Sequence, residues 1–357
     1  MEKIFSAILN SEARGMRGIG VRLARGILWI FSLAYAGVIQ LVVVFYATGI
    51  FRAQRIQKPV ISVGNLTWGG AGKTPLVILI AEFIKAKGLK PAILMRGYKG
   101  KNNVQGEMFN DEALLLREAL PDVPILVGKN RLQAANAALK EYPVDVFILD
   151  DGFQHRHLQR DCDIVAINAT NPWGNGQLIP RGNLREPLSV LSRADLFVIT
   201  KSDLGQDQVS AIKAKLAAIK NIPVIETVHQ PAMFQDLCTS TQYALTTIRE
   251  KSIVALSSIA DPSSFRKTLE SLGGKLQNVF TFDDHHWYQK EELQKIISDC
   301  QRLPNAVLIT TAKDAVKLRE YRDLFRAGPT CLVLKMKIQI TKGNDEFFNR
   351  INFVLQR

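Results

Sequence analysis

The sequence is short of cysteine. Four are spread over 357 residues, Cys162, Cys238, Cys300 and Cys331, and no two form a C-x-x-C pair. That excludes a disulfide framework and offers no zinc-site spacing, so we read them as reduced thiols in a cytosol-facing protein. Glycine (24) and proline (14) are too few for a low-complexity or fibrous chain. Hydrophobic residues at 47% and charged residues at 22% describe a globular or membrane-attached protein, long enough for two domains that each bury a core. Acids are scarce as well, 33 against 46 Lys and Arg, for a net charge of +13. The excess is uneven: Lys3, Arg14, Arg17, Arg22, Arg25, Arg52, Arg55 and Lys58 face only Glu2 and Glu12 in the first 58 residues. Charge alone does not choose between nucleic acid, an anionic membrane and a phosphorylated substrate; its position does.

Charge is missing altogether from 27 to 51, the run ILWIFSLAYAGVIQLVVVFYATGIF. A helix of that length reaches ~37 Å, more than the ~30 Å hydrocarbon layer. It is too long for a secretory apolar region and no A-x-A-like cleavage site follows, so it is expected to be retained. Ser32, Gln40 and Thr48 do not share one helical face. Upstream, Arg14, Arg17, Arg22 and Arg25 cluster opposite Met16, Ile19, Leu23 and Ile27, a basic amphipathic pattern suited to anionic headgroups, although Gly15, Gly18, Gly20 and Gly26 weaken a helix there. Residues 1–55 therefore read as a membrane anchor, spanning or embedded, with the catalytic part facing the cytoplasm.

After the anchor a β-rich run, 59–63, leads into Gly64-Asn65-Leu66-Thr67-Trp68-Gly69-Gly70-Ala71-Gly72-Lys73-Thr74 and then an apolar-periodic stretch, 76–84. Strand, glycine loop and helix are the context of a phosphate-binding P-loop. Glycines let backbone N–H groups converge on phosphate oxygens, and the helix N-terminus adds its dipole. Residues 67–74 would hold the nucleotide, Lys73 neutralising the β/γ-phosphates and the Thr74 hydroxyl reaching Mg²⁺. Thr67 stands where the strict pattern has Gly. A buried strand, 144–149, runs into Asp150-Asp151-Gly152, the position of a Walker-B carboxylate. Further strands at 91–95, 124–127, 164–168 and 196–200 give a doubly wound, mostly parallel α/β sheet whose active edge collects Arg96-Gly97-Tyr98-Lys99, Asp111-Glu112, Asp150-Asp151 and Gln154-His155-Arg156. Thr200-Lys201-Ser202-Asp203 imitates the N-K-x-D loop of GTPases, with Thr for Asn. A second, smaller α/β unit without a P-loop follows: strand 252–257, helix 262–272, strand 279–282, helix 291–301 and strand 306–310. The segment 331–340 reads as a strand pairing with 224–230.

The blocks Ser62-Val63-Gly64-Asn65-Leu66, Gly69 to Pro75, Arg96-Gly97-Tyr98, Asp150 to His155, Gly182-Asn183-Leu184-Arg185-Glu186-Pro187-Leu188 and Asp284-His285 resemble the tetraacyldisaccharide 4′-kinases. That family makes a lipid A precursor at the bacterial inner membrane, and its Ser or Thr at the first P-loop glycine position accounts for Thr67. The resemblance implies transfer of the γ-phosphoryl of ATP to the 4′-hydroxyl of an acylated disaccharide 1-phosphate lipid. It implies Asp111 as the base, His285 after Asp284 as its partner, and Lys73 on the phosphates. It places Thr74, Asp150, Asp151, Gln154 and Glu186 at Mg²⁺, and Arg96, Tyr98, Asn183 and Arg185 at the substrate. Asn110 and Asp283 stand where relatives have Gly and Pro, and neither change removes a chemical group.

The expected organisation is an anchor (1–55), a P-loop kinase domain (56–221), a connector (222–250) pairing with 332–341, a smaller α/β domain (251–331) and a C-terminal helix (342–357). The active site is expected in the cleft between the two units. Expected partners are the lipid substrate and the anionic inner-membrane surface, with no nucleic acid and no obligate protein partner. The rival is a membrane-recruited P-loop GTPase or ParA-like switch, which Thr200 to Asp203 would favour and Asp284-His285 would not.

Overall fold

The computed structural model describes residues 19–96, 101–102, 108–109, 111–284 and 286–356. In chain order the elements are α1 (Ile19–Ala47), β1 (Val60–Gly64), α2 (Lys73–Ala86), β2 (Pro91–Met95), the short β3 (Lys101–Asn102) and β4 (Met108–Phe109), α3 (Asp111–Ala119), β5 (Ile125–Val127), α4 (Arg131–Glu141), β6 (Val146–Asp150) and β7 (Cys162–Asn168). Then follow β8 (Leu196–Thr200), α5 (Gln206–Ile219), β9 (Val224–Asp236), β10 (Gln242–Tyr243), β11 (Ser252–Ser257), α6 (Pro262–Ser271), β12 (Lys275–Thr281), α7 (Lys290–Gln301), β13 (Ala306–Thr311), α8 (Ala312–Leu318), α9 (Arg322–Arg326), β14 (Cys331–Lys342) and α10 (Asn344–Leu355).

One sheet runs through the described chain in the order β12-β11-β13-β14-β9-β8-β7-β1-β6-β2-β5, with β10 beside β9. All neighbours from β5 to β9 are parallel, as are those from β12 to β14. The two parallel halves meet at an antiparallel ladder between β9 and β14, from Glu226↔Lys342 to Asp236↔Leu332. Central strands β1, β2, β6 and β8 are buried at every position, which is why they read as continuous apolar runs rather than alternating ones.

The helix α2 buries Leu76, Val77, Ile80, Ala81 and Ile84 against β1 and β6, each large side chain contributing roughly 1.5–3 kcal/mol. The C-terminal α10 returns to that same face with Phe347, Ile351 and Val354, so the last helix of the chain seals the first half. In the second half Leu293, Ile296 and Ile297 of α7 cover Val254, Leu256 and Leu308.

Two elements depart from the sequence expectation. The strand expected at 279–282 runs over Lys275–Thr281; as the sheet edge it is mostly exposed, so no apolar alternation marks its start. Among the described residues the apolar helix covers Ile19–Ala47 and passes through Gly20 and Gly26, which were expected to weaken it. The stretch Arg22–Ala47 is long and apolar enough to cross a membrane; an 18-residue window within it has a mean hydropathy of 2.3 and only 6% of its residues buried.

Candidate active site

The P-loop forms where β1 gives way to α2. Gly64 ends the strand, and a Cβ there would lie 2.5 Å from Phe153 Cβ and 2.6 Å from Phe153 N, so no larger residue fits. Gly72 caps α2 at φ +74°, in the left-handed region that glycine enters without a steric penalty. Between them Asn65, fully buried, organises the loop: its Nδ2 donates to Thr67 O at 2.7 Å and to Thr67 Oγ1 at 3.3 Å, and its Oδ1 accepts from Lys73 Nζ at 3.0 Å. Thr67 is thereby used at the position where the strict motif has glycine. Thr200 Oγ1 donates to Ala71 O at 3.0 Å and Trp68 N to Asn183 O at 2.8 Å, bracing the loop from two sides. Trp68, Gly69 and Gly70 are exposed at the mouth, while Thr74 is half-buried. The first-turn N–H groups of α2 and its dipole make this a site for phosphate.

The Walker-B pair lies one strand away, since Asp150 ends β6 in parallel register with Val63 of β1. Asp150 is 3% exposed and its Oδ1 is buried with no hydrogen-bond partner among the described residues. Burial pushes its carboxyl up to about 7, with further repulsion from Glu112 and Asp151 and partial relief from Lys73. At Asp151 burial acts in the same direction, but Lys73 and Arg185 outweigh it and bring the carboxyl down to about 2. Its oxygens meet Lys73 Nζ at 3.3 Å and Arg185 Nη1 at 2.8 Å.

Behind this pair the sequence supplies a basic wall. Gln154 Nε2 donates to Asn65 O at 2.9 Å. Glu186, 2% exposed, accepts from Arg156 at 2.7 Å and from Arg193 at 3.1 Å, so both its oxygens meet arginines. His155 is lowered to about 4, by burial first and then by the charges of Arg131, Arg160, His157 and Arg96, which keeps it neutral near neutral pH. Arg96 is exposed at the end of β2, and Asn183 enters through its backbone carbonyl.

A cavity of about 300 Å³ lies between this wall and α1, lined by Tyr35, Ile39, Val42 and Tyr46 on one side and Gln154 to His157, Arg185 and Glu186 on the other. The helix is docked there by polar contacts: Ser32 Oγ donates to Leu178 O at 2.9 Å and accepts from Arg181 N at 2.9 Å, and Tyr35 Oη donates to Arg185 O at 2.9 Å.

The sequence candidate Asp111 belongs to α3. Asp111 opens that helix, is 3% exposed, and its Oδ1 accepts from Glu112 N at 3.1 Å. Lys313 of α8 links it to Asp284, with Nζ 3.7 Å from Asp111 Oδ2 and 2.8 Å from Asp284 Oδ1. Tyr98 and His285 lie outside the described residues. His286 is committed elsewhere: Nε2 meets Glu292 Oε2 at 2.9 Å and its ring stacks on Phe282 at 4.6 Å.

The structure thus brings Lys73, Asp150, Asp151, Gln154 and Arg185 together, with Glu112 close enough to act on Asp150. Tyr35, Arg131, Arg193, Lys313 and Lys317 were not legible as site residues. Two carried a usable signal: Arg131 follows the helix cap Asn130 three residues beyond β5, and Lys313 lies inside the Thr311-x-x-Asp314 cap at the end of β13.

A glycine loop between a buried strand and a helix, with an acid ending the neighbouring parallel strand, defines a P-loop phosphate-handling protein. The family model for tetraacyldisaccharide-1-P 4′-kinases matches residues 24–356. The tetraacyldisaccharide 4′-kinase of Syntrophus aciditrophicus is 36% identical over 339 residues, 89% of this chain and 90% of that protein. The kinase of the same name from Elusimicrobium minutum is 39% identical over 320 residues, 85% and 84%. The structure of LpxK from Aquifex aeolicus, solved in complex with ATP, matches with a TM-score of 0.74 at 28% identity, over 93% of this chain and 99% of that one. The chain belongs to the tetraacyldisaccharide-1-P 4′-kinase family. It is a phosphotransferase of lipid A biosynthesis, and its substrate is a lipid disaccharide phosphate. The rival GTPase or ParA-like reading is not favoured. In the segment that suggested it, Thr200 braces the P-loop, Ser202 Oγ donates to Thr227 O at 3.1 Å and Lys201 pairs with Asp261 at 3.5 Å.

Proposed function

We propose that residues 67–74 bind ATP and that its γ-phosphoryl passes to the 4′-hydroxyl of a tetraacylated disaccharide 1-phosphate with Asp111 as proton acceptor. The observation that carries this reading is the convergence of Lys73, Asp151 and the unpartnered Asp150 Oδ1 at the mouth of the glycine loop. Lys73 neutralises the β/γ-phosphates, and the N–H groups of the loop and of α2 hold them in place. A sugar hydroxyl is a poor nucleophile near neutral pH, so Asp111 takes its proton, with Asp284 and His285 orienting that carboxylate.

Mg²⁺ fits the donors present. Among the described residues no group of three or more His, Cys, Asp or Glu is arranged around a metal. Mg²⁺ requires only one or two carboxylates, the remaining ligands being phosphate and water. A buried carboxylate oxygen without a partner is such a donor; Asp150 and Thr74 would hold the ion, with Asp151, Gln154 and Glu186 completing or orienting its shell. When bound, Mg²⁺ would neutralise charge on the transferring phosphoryl group.

In this reading 56–221 form the kinase unit, 251–331 the smaller unit, and 222–250 with 332–341 the connector between them; the active site lies in their cleft, and closure of the cleft controls turnover. Arg96, Tyr98, Asn183 and Arg185 face the lipid headgroup. The chain attaches through α1 to the anionic cytoplasmic face of the inner membrane, where its lipid substrate resides. The exposed apolar surface of α1 supports this, since such a face is not left in water without a partner.

The test is thin-layer analysis of [γ-³²P]ATP incubated with purified disaccharide 1-phosphate. Transfer that requires Mg²⁺ and disappears in Lys73→Ala is expected. Nucleotide hydrolysis without lipid labelling would overturn the reading.

A further inference from the structure

Two lysines from the far half of the molecule converge on one carboxylate oxygen. Lys313 and Lys317 lie four residues apart on α8, hence on one face of the helix. Their Nζ atoms stand 3.7 and 3.8 Å from Asp111 Oδ2 on α3. The same ammoniums hold the chain on either side of position 285: Lys313 donates to Asp284 Oδ1 at 2.8 Å, and Lys317 donates to the backbone O of His286 at 3.0 Å.

The burial of Lys317 is the informative feature. Its side chain is 1% exposed, a costly place for an ammonium unless it is paired and hydrogen-bonded. A cage does this. Ser258 Oγ accepts from Lys317 at 2.7 Å, and Asp314 Oδ1 lies 3.3 Å away. Asp314 is saturated in turn by Tyr288 Oη at 3.0 Å, Thr311 Oγ1 at 2.7 Å, Ser258 N at 3.1 Å and the Ser258 hydroxyl. Stability does not require such an arrangement, because well-packed apolar residues in place of a buried ion pair are often neutral or stabilising. Beyond the cage, the carboxylate that the buried charge reaches is Asp111.

We propose that Lys317 and Lys313 are positioning residues that act through Asp111, fixing its carboxylate together with the Asp284 side chain and the His286 carbonyl in one arrangement. The proposal rests on Asp111 being the proton acceptor. At 3.7 and 3.8 Å both ammoniums are beyond hydrogen-bond reach, so they hold Oδ2 by charge without occupying a lone pair that the substrate hydroxyl needs. Burial works against the Lys313 ammonium, yet the carboxylates of Asp111 and Asp284 outweigh it and hold its pKa above the ordinary lysine value. Because the cations come from α8 and the carboxylate from α3, the base is oriented only where these helices are packed together. The other end of α3 is tied to the same half, Glu118 pairing with Arg319 at 2.6 Å and with Lys335 at 2.7 Å.

The experiment is a double-mutant cycle on the full chain, comparing wild type, Lys317→Met, Asp111→Asn and the double variant by kcat, by KM for ATP and for lipid, and by Tm. Misplacing a catalytic group by an ångström costs on the order of 10²-fold, so Lys317→Met is expected to lower kcat by ~10–10²-fold with KM for ATP unchanged. In the Asp111→Asn background the same substitution is expected to cost less than about twofold, as for residues that act as one unit. Lys313→Met, at the partly exposed rim, carries the same expectation and decides the matter should Lys317→Met not fold. Equal losses in both backgrounds would mean a structural role and overturn the proposal. Full kcat in both lysine variants beside a crippled Asp111→Asn would overturn it too, leaving Asp111 as base. Wild-type kcat in Asp111→Asn would overturn the base assignment, and the positioning role with it.

Discussion

Asp150 and Asp151 are adjacent in the chain and are driven in opposite directions, the first up to about 7 and the second down to about 2. Asp150 ends a fully buried strand and points one oxygen at no partner. Asp151, at φ +51°, turns out of the strand onto Lys73 and Arg185. The site therefore stores an unfavourable carboxylate at Asp150, the position proposed to hold the cation.

Because the folded protein binds the Asp150 proton more tightly than the unfolded chain, that residue imposes no penalty below about pH 4. The penalty grows between pH 4 and 7 and is constant above it. Asp150→Asn should raise the Tm of the ligand-free protein more at pH 8 than at pH 5.5, with an upper limit of about 4 kcal/mol at the higher pH, and should lose most of its turnover. Thermal melts at the two pH values check this; an equal or opposite change would show that the buried carboxylate is not under strain.

Lys73→Ala removes the charge proposed to face the phosphates and one partner of Asp151, leaving Arg185 to hold that acid. Turnover at saturating Mg-ATP should fall by ~10²–10³-fold, the range for losing one preorganised electrostatic contact. The circular dichroism spectrum should be unchanged. Thr74→Ala should act in the same direction. Near-normal turnover in either variant would remove the P-loop from the mechanism.

Ser32→Ala with Tyr35→Phe deletes the side-chain hydrogen bonds that dock α1, worth ~1 kcal/mol each. The expected result is a several-fold higher KM for the lipid with KM for ATP unchanged, measured in mixed micelles. Deleting residues 1–55 should release the protein from vesicles in a sedimentation assay and depress activity on vesicle-embedded lipid more than on detergent-dispersed lipid. A double variant with unaltered lipid KM would separate the docking of α1 from substrate binding.

Asp111→Ala and His285→Ala should each lower kcat by ~10²–10⁴-fold, with little effect on KM for ATP. The combined variant should be scarcely worse than the worse single one. Steady-state kinetics decides between this and independent, multiplying losses, which would assign the two residues to separate steps.

The phosphate site was legible in the sequence because all its parts are local: a buried strand, a glycine loop and a helix follow one another from 59 to 84, and glycine's backbone freedom announces the turn. The parallel strands were legible for a similar reason, since burial on both faces leaves uninterrupted apolar runs. The start of the edge strand Lys275–Thr281 was not, because exposure removes that signal. Ser32 read as a scattered polar residue in an apolar helix, and Tyr35 carried no signal, until contacts with Leu178, Arg181 and Arg185 gave them partners. Nor does the sequence distinguish Asp150 from Asp151, or give Lys317 a use. The first difference arises from desolvation and from Lys73, Arg185 and Glu112, the second from α8 meeting Asp111 of α3, and only the tertiary structure sets the distances on which both depend.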